Sequence, residues 1–431
     1  MIRALAVPAS LLVAALLAGP AAFAAPVPEI HAVLQTATQF DDDAGGKADA
    51  DDPAVWVHPR DRRRTIVAGT KKNAGLDVYG LDGRTLQSIA PPPAPGPDDS
   101  AGRFNNADVV AGLLGKGKRS DVVVVTDRGR DQLRIYAIDP AGAASPAPLT
   151  DVTASDVPFV FSKTQAEVND QTTGYGLTAI AGPYVAVSQR SRTAVAIVKL
   201  IVQRHGGVTY RVVDQISLPA SFPLPNGAIW TPCEDPGDLP QVEGMVADAG
   251  RGLLYAGQED VGIWRIGLSR NGRFAGRPQL VDRVREFGVP STFDPTTEEC
   301  VAGADPGFGG KHISADVEGL TIYDLPHGQG YLLASSQGDD TFAAYADEGR
   351  GRYLGSFHIG DGIVDGVQDS DGAQVVREAL PGFPTGLLVT QDGDDTPAVI
   401  GDDGEPRPTT SFKFTPWGDA AKALSLRAAP R

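Results

Sequence analysis

Gly75-Leu76-Asp77-Val78-Tyr79 is a short apolar strand with an aromatic residue at its end, and its form returns five more times along the chain. The recurrences are Gln132-Leu133-Arg134-Ile135-Tyr136, Ala194-Val195-Ala196-Ile197-Val198, Gly262-Ile263-Trp264, Phe342-Ala343-Ala344-Tyr345 and Ser411-Phe412-Lys413-Phe414. With Tyr79, Tyr136, Ile197, Trp264, Tyr345 and Phe412 as markers, the spacings are 57, 61, 67, 81 and 67 residues. A repeat of that length is one supersecondary unit that cannot bury both faces of its strands alone, so neighbouring units must stack. Six four-stranded units of about 65 residues account for the chain, and closing them into a ring leaves few exposed strand edges; the irregular period leaves seven blades, or a propeller with an extra hairpin, as alternatives. The expected fold class is all-β, a six-bladed β-propeller in which residues 25–431 form a single domain.

Composition leads the same way. There are 51 glycines and 34 prolines, the Val and Ile runs are short, and no long stretch holds a 3.6-residue apolar period, which is the pattern of short strands joined by turns. Residues 25–50 are expected to open on a strand and a loose acidic loop, and the tail after Trp417 is expected to fray. Residues 1–24 stand apart. Arg3, the apolar run 4–17 and the small-residue pattern Ala22-Phe23-Ala24 read as a signal peptide cleaved near Ala25. The run is shorter than the roughly 20 residues that span a bilayer, so a secreted chain, extracellular or periplasmic, is expected rather than an anchored one.

A formal charge of −16 disfavours nucleic acid and anionic membranes as partners, because both need a basic face, and favours cations. A monomer is expected. Cys233 and Cys300 both lie in Pro/Gly/Asp-rich loop stretches. Export favours their pairing as a disulfide, with two free thiols as the alternative, and two cysteines cannot supply a four-ligand zinc site.

Carboxylates recur at strand ends and turns: Asp51-Asp52-Pro53, Glu243-Gly244-Met245, Gln258-Glu259-Asp260, Asp316-Val317-Glu318-Gly319, Asp365 and Asp369-Ser370-Asp371-Gly372. A single Asp-Gly or Glu-Gly is ordinarily a turn residue bonding its own backbone. Glu243 and Glu318 differ, since each precedes Gly and an apolar strand where the turn needs no carboxylate. In a propeller such strand ends converge on one mouth of the central channel. Two carboxylates about 4 Å apart repel by roughly 4 kcal/mol at an effective dielectric near 20, so a convergent set calls for bound cations. Oxygen ligands favour calcium or magnesium, and an open multi-carboxylate site favours calcium.

Other chemistries find little support. Arg204-His205-Gly206 matches the core of the histidine acid phosphatase motif, but Gly207-Val208-Thr209 follows where that motif continues with arginine and proline. The tripeptide joins the apolar run 195–202 to the alternating run 208–213, so a hairpin turn is expected there. Asp369-Ser370-Asp371-Gly372 resembles half of a helix-loop-helix calcium loop, but Val367 holds the first ligand position and no helix precedes it. No Gly-x-Ser-x-Gly elbow and no histidine pair at zinc spacing occurs.

Asp51-Asp52-Pro53-Ala54-Val55-Trp56-Val57-His58-Pro59 resembles the opening motif of the β-propeller phytases. Ala315-Asp316-Val317-Glu318-Gly319-Leu320-Thr321-Ile322-Tyr323, followed by Ala334-Ser335-Ser336-Gln337-Gly338, resembles their central one. Gln241-Val242-Glu243-Gly244-Met245, the stretch 365–372 and Val389-Thr390-Gln391-Asp392-Gly393 add three segments in the same order. The resemblance implies a six-bladed propeller and several calcium ions at the cleavage site, ligated by Asp51, Glu243, Glu259, Asp316, Glu318 and Asp371. Asp52 and Asp365 are implied to hold neighbouring structural calcium. Lys72 falls at the place of the family's phosphate-gripping lysine, Arg128 matches a second cationic contact, and Tyr175 and Gln337 match polar groups around bound phosphate. Arg190 stands where the family has a lysine, within Ser188-Gln189-Arg190-Ser191, so charge is kept while the fork geometry differs. The implied catalytic set is Lys72, Arg128 and Glu243.

The function implied is calcium-dependent hydrolysis of phytate, myo-inositol hexakisphosphate, by a calcium-activated water, giving lower inositol phosphates. Two rival readings are a calcium-dependent propeller lactonase or esterase, against which Lys72 and Arg128 argue, and a secreted propeller that binds calcium only structurally.

Overall fold

The computed structural model describes residues 26–40, 48–114, 120–204, 206–297, 299–326, 329–400 and 404–429; the expected signal peptide, residues 1–24, and His205 lie outside them. Six antiparallel sheets follow one another along the chain. Blades 1 to 5 span 53–89, 104–151, 174–217, 242–283 and 317–360, each laid down as four consecutive strands from the inside outward. Blade 6 combines three C-terminal strands, Ala373–Val376, Leu387–Asp392 and Thr409–Pro416, with the N-terminal strand Leu34–Gln35 on its outside. The six innermost strands neighbour one another in order, and the last returns to the first, so the ring is closed. All six aromatic or branched markers of the sequence repeat sit on the third strand of a blade.

Why these segments are strands follows from their burial. A blade packs on a neighbour through both faces, so middle strands carry unbroken apolar runs rather than alternation. Val122 to Val125 are fully buried, and all six residues of Thr341–Ala346 are buried. Outer strands face solvent, as in the largely exposed Arg273–Arg283. The core is divided among the blade interfaces; the largest part, between blades 4 and 5, gathers Phe222, Trp230, Trp264 and Phe287.

Ring closure comes from residues that periodicity does not reveal. Leu34 and Gln35 pair with Phe414 and Lys413, and Glu29–His31 adds a parallel fifth strand outside blade 5. Strands of two or three residues are too short to show alternation. The tail after Trp417 is a correction to the sequence reading: it does not fray but forms the helix Trp417–Ala423, anchored by a fully buried Trp417 stacked 4.4 Å from Tyr323. On either side of His205, which lies outside the described residues, Gln203 N–H donates to the Gly207 carbonyl where the hairpin turn is expected. Among the described residues, no helix is long and apolar enough to cross a membrane.

Candidate active site

Four of the six inner strands open with the same device. In blades 2 to 5 the pairing with the second strand slips between Phe104 and Ala107, Gly174 and Leu177, Val242 and Met245, and Val317 and Leu320. A bulge of this kind lets a side chain leave the ladder and be re-aimed. The residues so released are Asn105, Tyr175, Glu243 and Glu318, each two positions before regular pairing resumes. Asp51 and Asp371 stand two positions before Pro53 and Ala373, where pairing begins in blades 1 and 6. One residue from each blade therefore contributes to a single ring of side chains.

The glycine after the released residue explains the Glu-Gly pairs. A Cβ on Gly244 would lie 2.1 Å from the Glu318 carbonyl oxygen, and one on Gly176 would lie 2.0 Å from that of Glu243. Only glycine lets adjacent inner strands approach this closely, and that approach brings the carboxylates together.

Contacts knit the ring to its surroundings. Asn105 Nδ2 donates to Glu243 Oε1 at 2.6 Å, and Arg128 Nη1 donates to Asn105 Oδ1 at 3.1 Å while lying over the Tyr175 ring, 5.5 Å from its centroid. Lys72 Nζ pairs with Asp371 Oδ2 at 3.3 Å and with Asp49 Oδ2 at 2.7 Å. Gln337 Nε2 donates to Asp371 Oδ1 at 2.8 Å, and Gln241 Nε2 to Glu259 Oε2 at 2.9 Å. Arg190 lines a cavity shared with Glu259 and Asp316. The structure thus gathers Lys72, Arg128, Tyr175, Arg190 and Gln337 around Asp51, Glu243, Glu259, Asp316, Glu318 and Asp371, although the sequence scatters them from 51 to 371.

The electrostatics are those of a site short of positive charge. Burial, and then the charge of Glu243, pushes the Asp51 carboxyl well above the usual range. Burial with Asp371 pushes Glu243 up to about 7. Glu259 and Glu318 are raised by burial first and then by their acidic neighbours, and Asp316 by burial and Asp371. Burial alone would lower the Lys72 ammonium, but Asp371, Asp51 and Asp49 together lift it well above its ordinary value. Burial lowers the Arg128 guanidinium.

A metal fits this arrangement. One carboxylate oxygen each from Glu243, Glu259 and Glu318 lie within 4.8 Å of one another. Both oxygens of Asp51, Glu259 Oε1 and Glu318 Oε2 are buried without a hydrogen-bond partner. Buried carboxylate oxygens left unpaired are costly, and a hard cation with oxygen ligands is the group that satisfies them.

Two expected metal ligands stand outside the ring. Asp52 faces the central channel, where its Oδ2 accepts from the Ala107 N–H at 3.0 Å. Asp365 lies in blade 6, accepting from Thr396 N and Oγ1 at 2.6 and 2.5 Å and pairing with Lys413 at 3.6 Å. Burial favours the neutral Asp365 acid, but the Thr396 hydrogen bonds and the Lys413 charge prevail and hold it below the usual range. Cys233 and Cys300 are bridged, with Cα atoms 6.0 Å apart, which decides between the two sequence alternatives. The bridge ties the loop before blade 4 to the hairpin Ser291–Asp294 and Glu299–Ala302 before blade 5.

The sequence reading missed Asn105, which fills the ring position of blade 2, and Asp49, the partner of Lys72. Asn105-Asn106-Ala107 aligns with Glu243-Gly244-Met245 when the bulges are superposed, a signal hidden by the absence of both carboxylate and glycine. Glu234 was also missed. Its carboxyl hydrogen-bonds to that of Asp260, and burial with Asp316 lifts it to about 7.

Comparison with known proteins supplies the context. The family model "Phytase" matches residues 2–170 and 239–428, leaving 171–238 unmatched. The chain is 30% identical over 404 residues to the 3-phytase of Bacillus subtilis (strain 168), covering 92% of this chain and 86% of that protein. Among solved structures, the β-propeller domain of Cps50 (Swd1) from Myceliophteria thermophila aligns over 85% of this chain and 83% of its own, with 10% identity and a TM-score of 0.39. Sqt1 of Chaetomium thermophilum, bound to the N-terminus of ribosomal protein L10, aligns over 90% and 100% with 13% identity and a TM-score of 0.42. Those distant likenesses add nothing to what the strand pairing already establishes.

Proposed function

Because the chain belongs to the phytase family, we propose that it is a secreted, calcium-dependent 3-phytase that removes phosphate from phytate and releases lower inositol phosphates. The observation that carries this reading is the six-blade ring, in which buried oxygens of Asp51, Glu259 and Glu318 lack partners beside two half-buried cationic side chains, Lys72 and Arg128. Asp51, Glu243, Glu259, Asp316, Glu318 and Asp371 would hold the calcium ions. Bound there, calcium supplies charge neutralisation of the phosphate and polarisation of the attacking water.

The chain's own groups then have distinct roles. Lys72 and Arg128 grip phosphate oxygens and stabilise the charge that spreads over them in the transition state. Arg190, Tyr175 and Gln337 complete the phosphate contacts. Asn105 orients both Arg128 and Glu243, since it donates to one and accepts from the other. The acidity of the ring accounts for the cation requirement, because a polyanionic substrate cannot approach bare carboxylates. Asp52 and Asp365 stand outside the ring, and any calcium they hold is structural. The propeller acts as one domain after removal of residues 1–24.

Phosphate release from sodium phytate at neutral pH tests the reading, with calcium titrated in and then chelated. Release is expected to require calcium and to fall by at least about 100-fold in Glu243→Ala. A folded protein that releases no phosphate at any calcium concentration contradicts it.

A further inference from the structure

Gln241 stands one residue before Val242–Asp248, the innermost strand of blade 4, and its carboxamide reaches two neighbours at once. Its Nε2 donates to Glu259 Oε2 at 2.9 Å, and its Oε1 accepts from the Ser191 N–H at 2.7 Å. A carboxylate only accepts and a main-chain N–H only donates, so the amide can face one way only. The main chain adds to the hold, since the Glu259 N–H donates to the Gln241 carbonyl at 3.2 Å.

The two arms end on different parts of the site. Glu259 is an expected calcium ligand on blade 4; with Oε2 engaged by Gln241, Oε1 is the oxygen left buried and unpartnered. Ser191 follows Arg190, the guanidinium that blade 3 offers to phosphate, and it is a buried non-glycine residue with φ of +55°. That conformation costs roughly 1–3 kcal/mol and persists only where the surroundings enforce it. Segment 237–241 does so. The Leu239 N–H donates to the Ser191 carbonyl at 3.2 Å, while Arg192 donates to the Gly237 carbonyl at 3.3 Å and pairs with Asp238 at 3.6 Å. Both main-chain polar groups of Ser191 are thus taken by Leu239 and Gln241, so the turn that carries Arg190 is fixed to the blade that carries Glu259. Arg190, Gln241 and Glu259 line one cavity.

We propose that Gln241 is a positioning residue that couples the phosphate contact of blade 3 to the calcium ligand of blade 4, holding Arg190 and Glu259 at one fixed separation. The proposal rests on the phytase reading of the ring. It gives Gln241 the counterpart of the link that Asn105 makes between Arg128 and Glu243, here through the main chain of the arginine's turn. A phosphate that bridges a guanidinium and a cation feels any slackening between them, so loss of the carboxamide acts on substrate and calcium together.

Phosphate release from sodium phytate tests it, with phytate varied at saturating calcium and calcium varied at saturating phytate, in wild type, Gln241→Met, Arg190→Ala and the double variant. Gln241→Met keeps the side-chain volume and loses both hydrogen bonds; KM and the half-saturating calcium concentration are each expected to rise about 10-fold. Arg190→Ala is expected to raise KM at least about 10-fold in wild type but less than about 3-fold in the Gln241→Met background, where the guanidinium is already misplaced. A packing defect alone lowers the melting temperature without this coupling. Folded Gln241→Met, checked by circular dichroism, with both constants within about 2-fold of wild type overturns the proposal, as do additive effects of the two substitutions. If Gln241→Met does not fold, Gln241→Asn, one methylene too short to span both partners, carries the same expectations. A wild type that releases no phosphate at any calcium concentration defeats the phytase reading and this proposal with it; an active wild type beside an unchanged Gln241→Met defeats the proposal alone.

Discussion

Two triads of carboxylates in this protein have similar composition and opposite character. Glu243, Glu259 and Glu318 meet in the ring at the channel mouth, and Asp365, Asp392 and Asp395 meet in blade 6. In blade 6 a fully buried ammonium, Lys413 Nζ, stands among the acids, 2.7 Å from Asp395, 2.9 Å from Asp392 and 3.6 Å from Asp365. It also donates to Gln35 on the N-terminal strand, 3.0 Å away, so the same cation ties the ring's closing strand to the chain's end. Among the described residues, no ammonium or guanidinium pairs with the mouth triad. Lys72 pairs at its edge with Asp371 and Asp49, and Asp51 keeps both oxygens unpaired. Acid clusters by themselves are therefore uninformative; what separates a structural network from a site is whether the chain supplies the counter-charge.

The sharpest way to break that comparison is to remove the internal cation. Lys413→Met leaves three buried acids facing one another and is expected to cost about 3–5 kcal/mol of folding stability, read by chemical denaturation. A loss under about 1 kcal/mol would mean that blade 6 is not held by this network.

At the mouth the sign reverses. In calcium-free protein Glu243→Gln removes an ill-satisfied charge and is expected to stabilise the fold by on the order of 2–3 kcal/mol at pH 8. The folded-state pKa of Glu243 is about 7 against an ordinary 4.5, so between those values the folded chain holds a proton the unfolded chain has lost. Stability of the calcium-free wild type should accordingly fall as pH rises from about 4.5 to 7, and calcium should restore it above that window. A flat melting temperature from pH 5 to 8 without calcium would contradict this. Gly244→Ala, which touches no charge, is expected to cost roughly 1–3 kcal/mol by pushing the blade 5 inner strand away, with weakened calcium binding as its signature.

Much of this was legible in the sequence because the decisive features are local. Apolar third strands recur at measurable spacing, and Glu243-Gly244 and Glu318-Gly319 carry both the released carboxylate and the glycine that permits close strand approach. What escaped is long-range. Leu34 and Gln35 close a blade whose other strands begin at residue 373, and no local pattern in two residues announces that. Asn105 escaped because its role is to donate to Glu243 rather than to carry charge. Asp392 and Asp395 escaped as partners of Asp365 because the counter-ion, Lys413, sits inside a strand marker chosen for its apolar neighbours.

The central claim is that the six-blade ring is completed by calcium. Anomalous scattering from crystals grown with calcium, collected at long wavelength, tests it directly. Peaks bounded by Asp51, Glu243, Glu259 and Glu318 are predicted, lost in Glu243→Gln. A calcium-saturated crystal of active protein with no anomalous peak among those four residues would contradict the account.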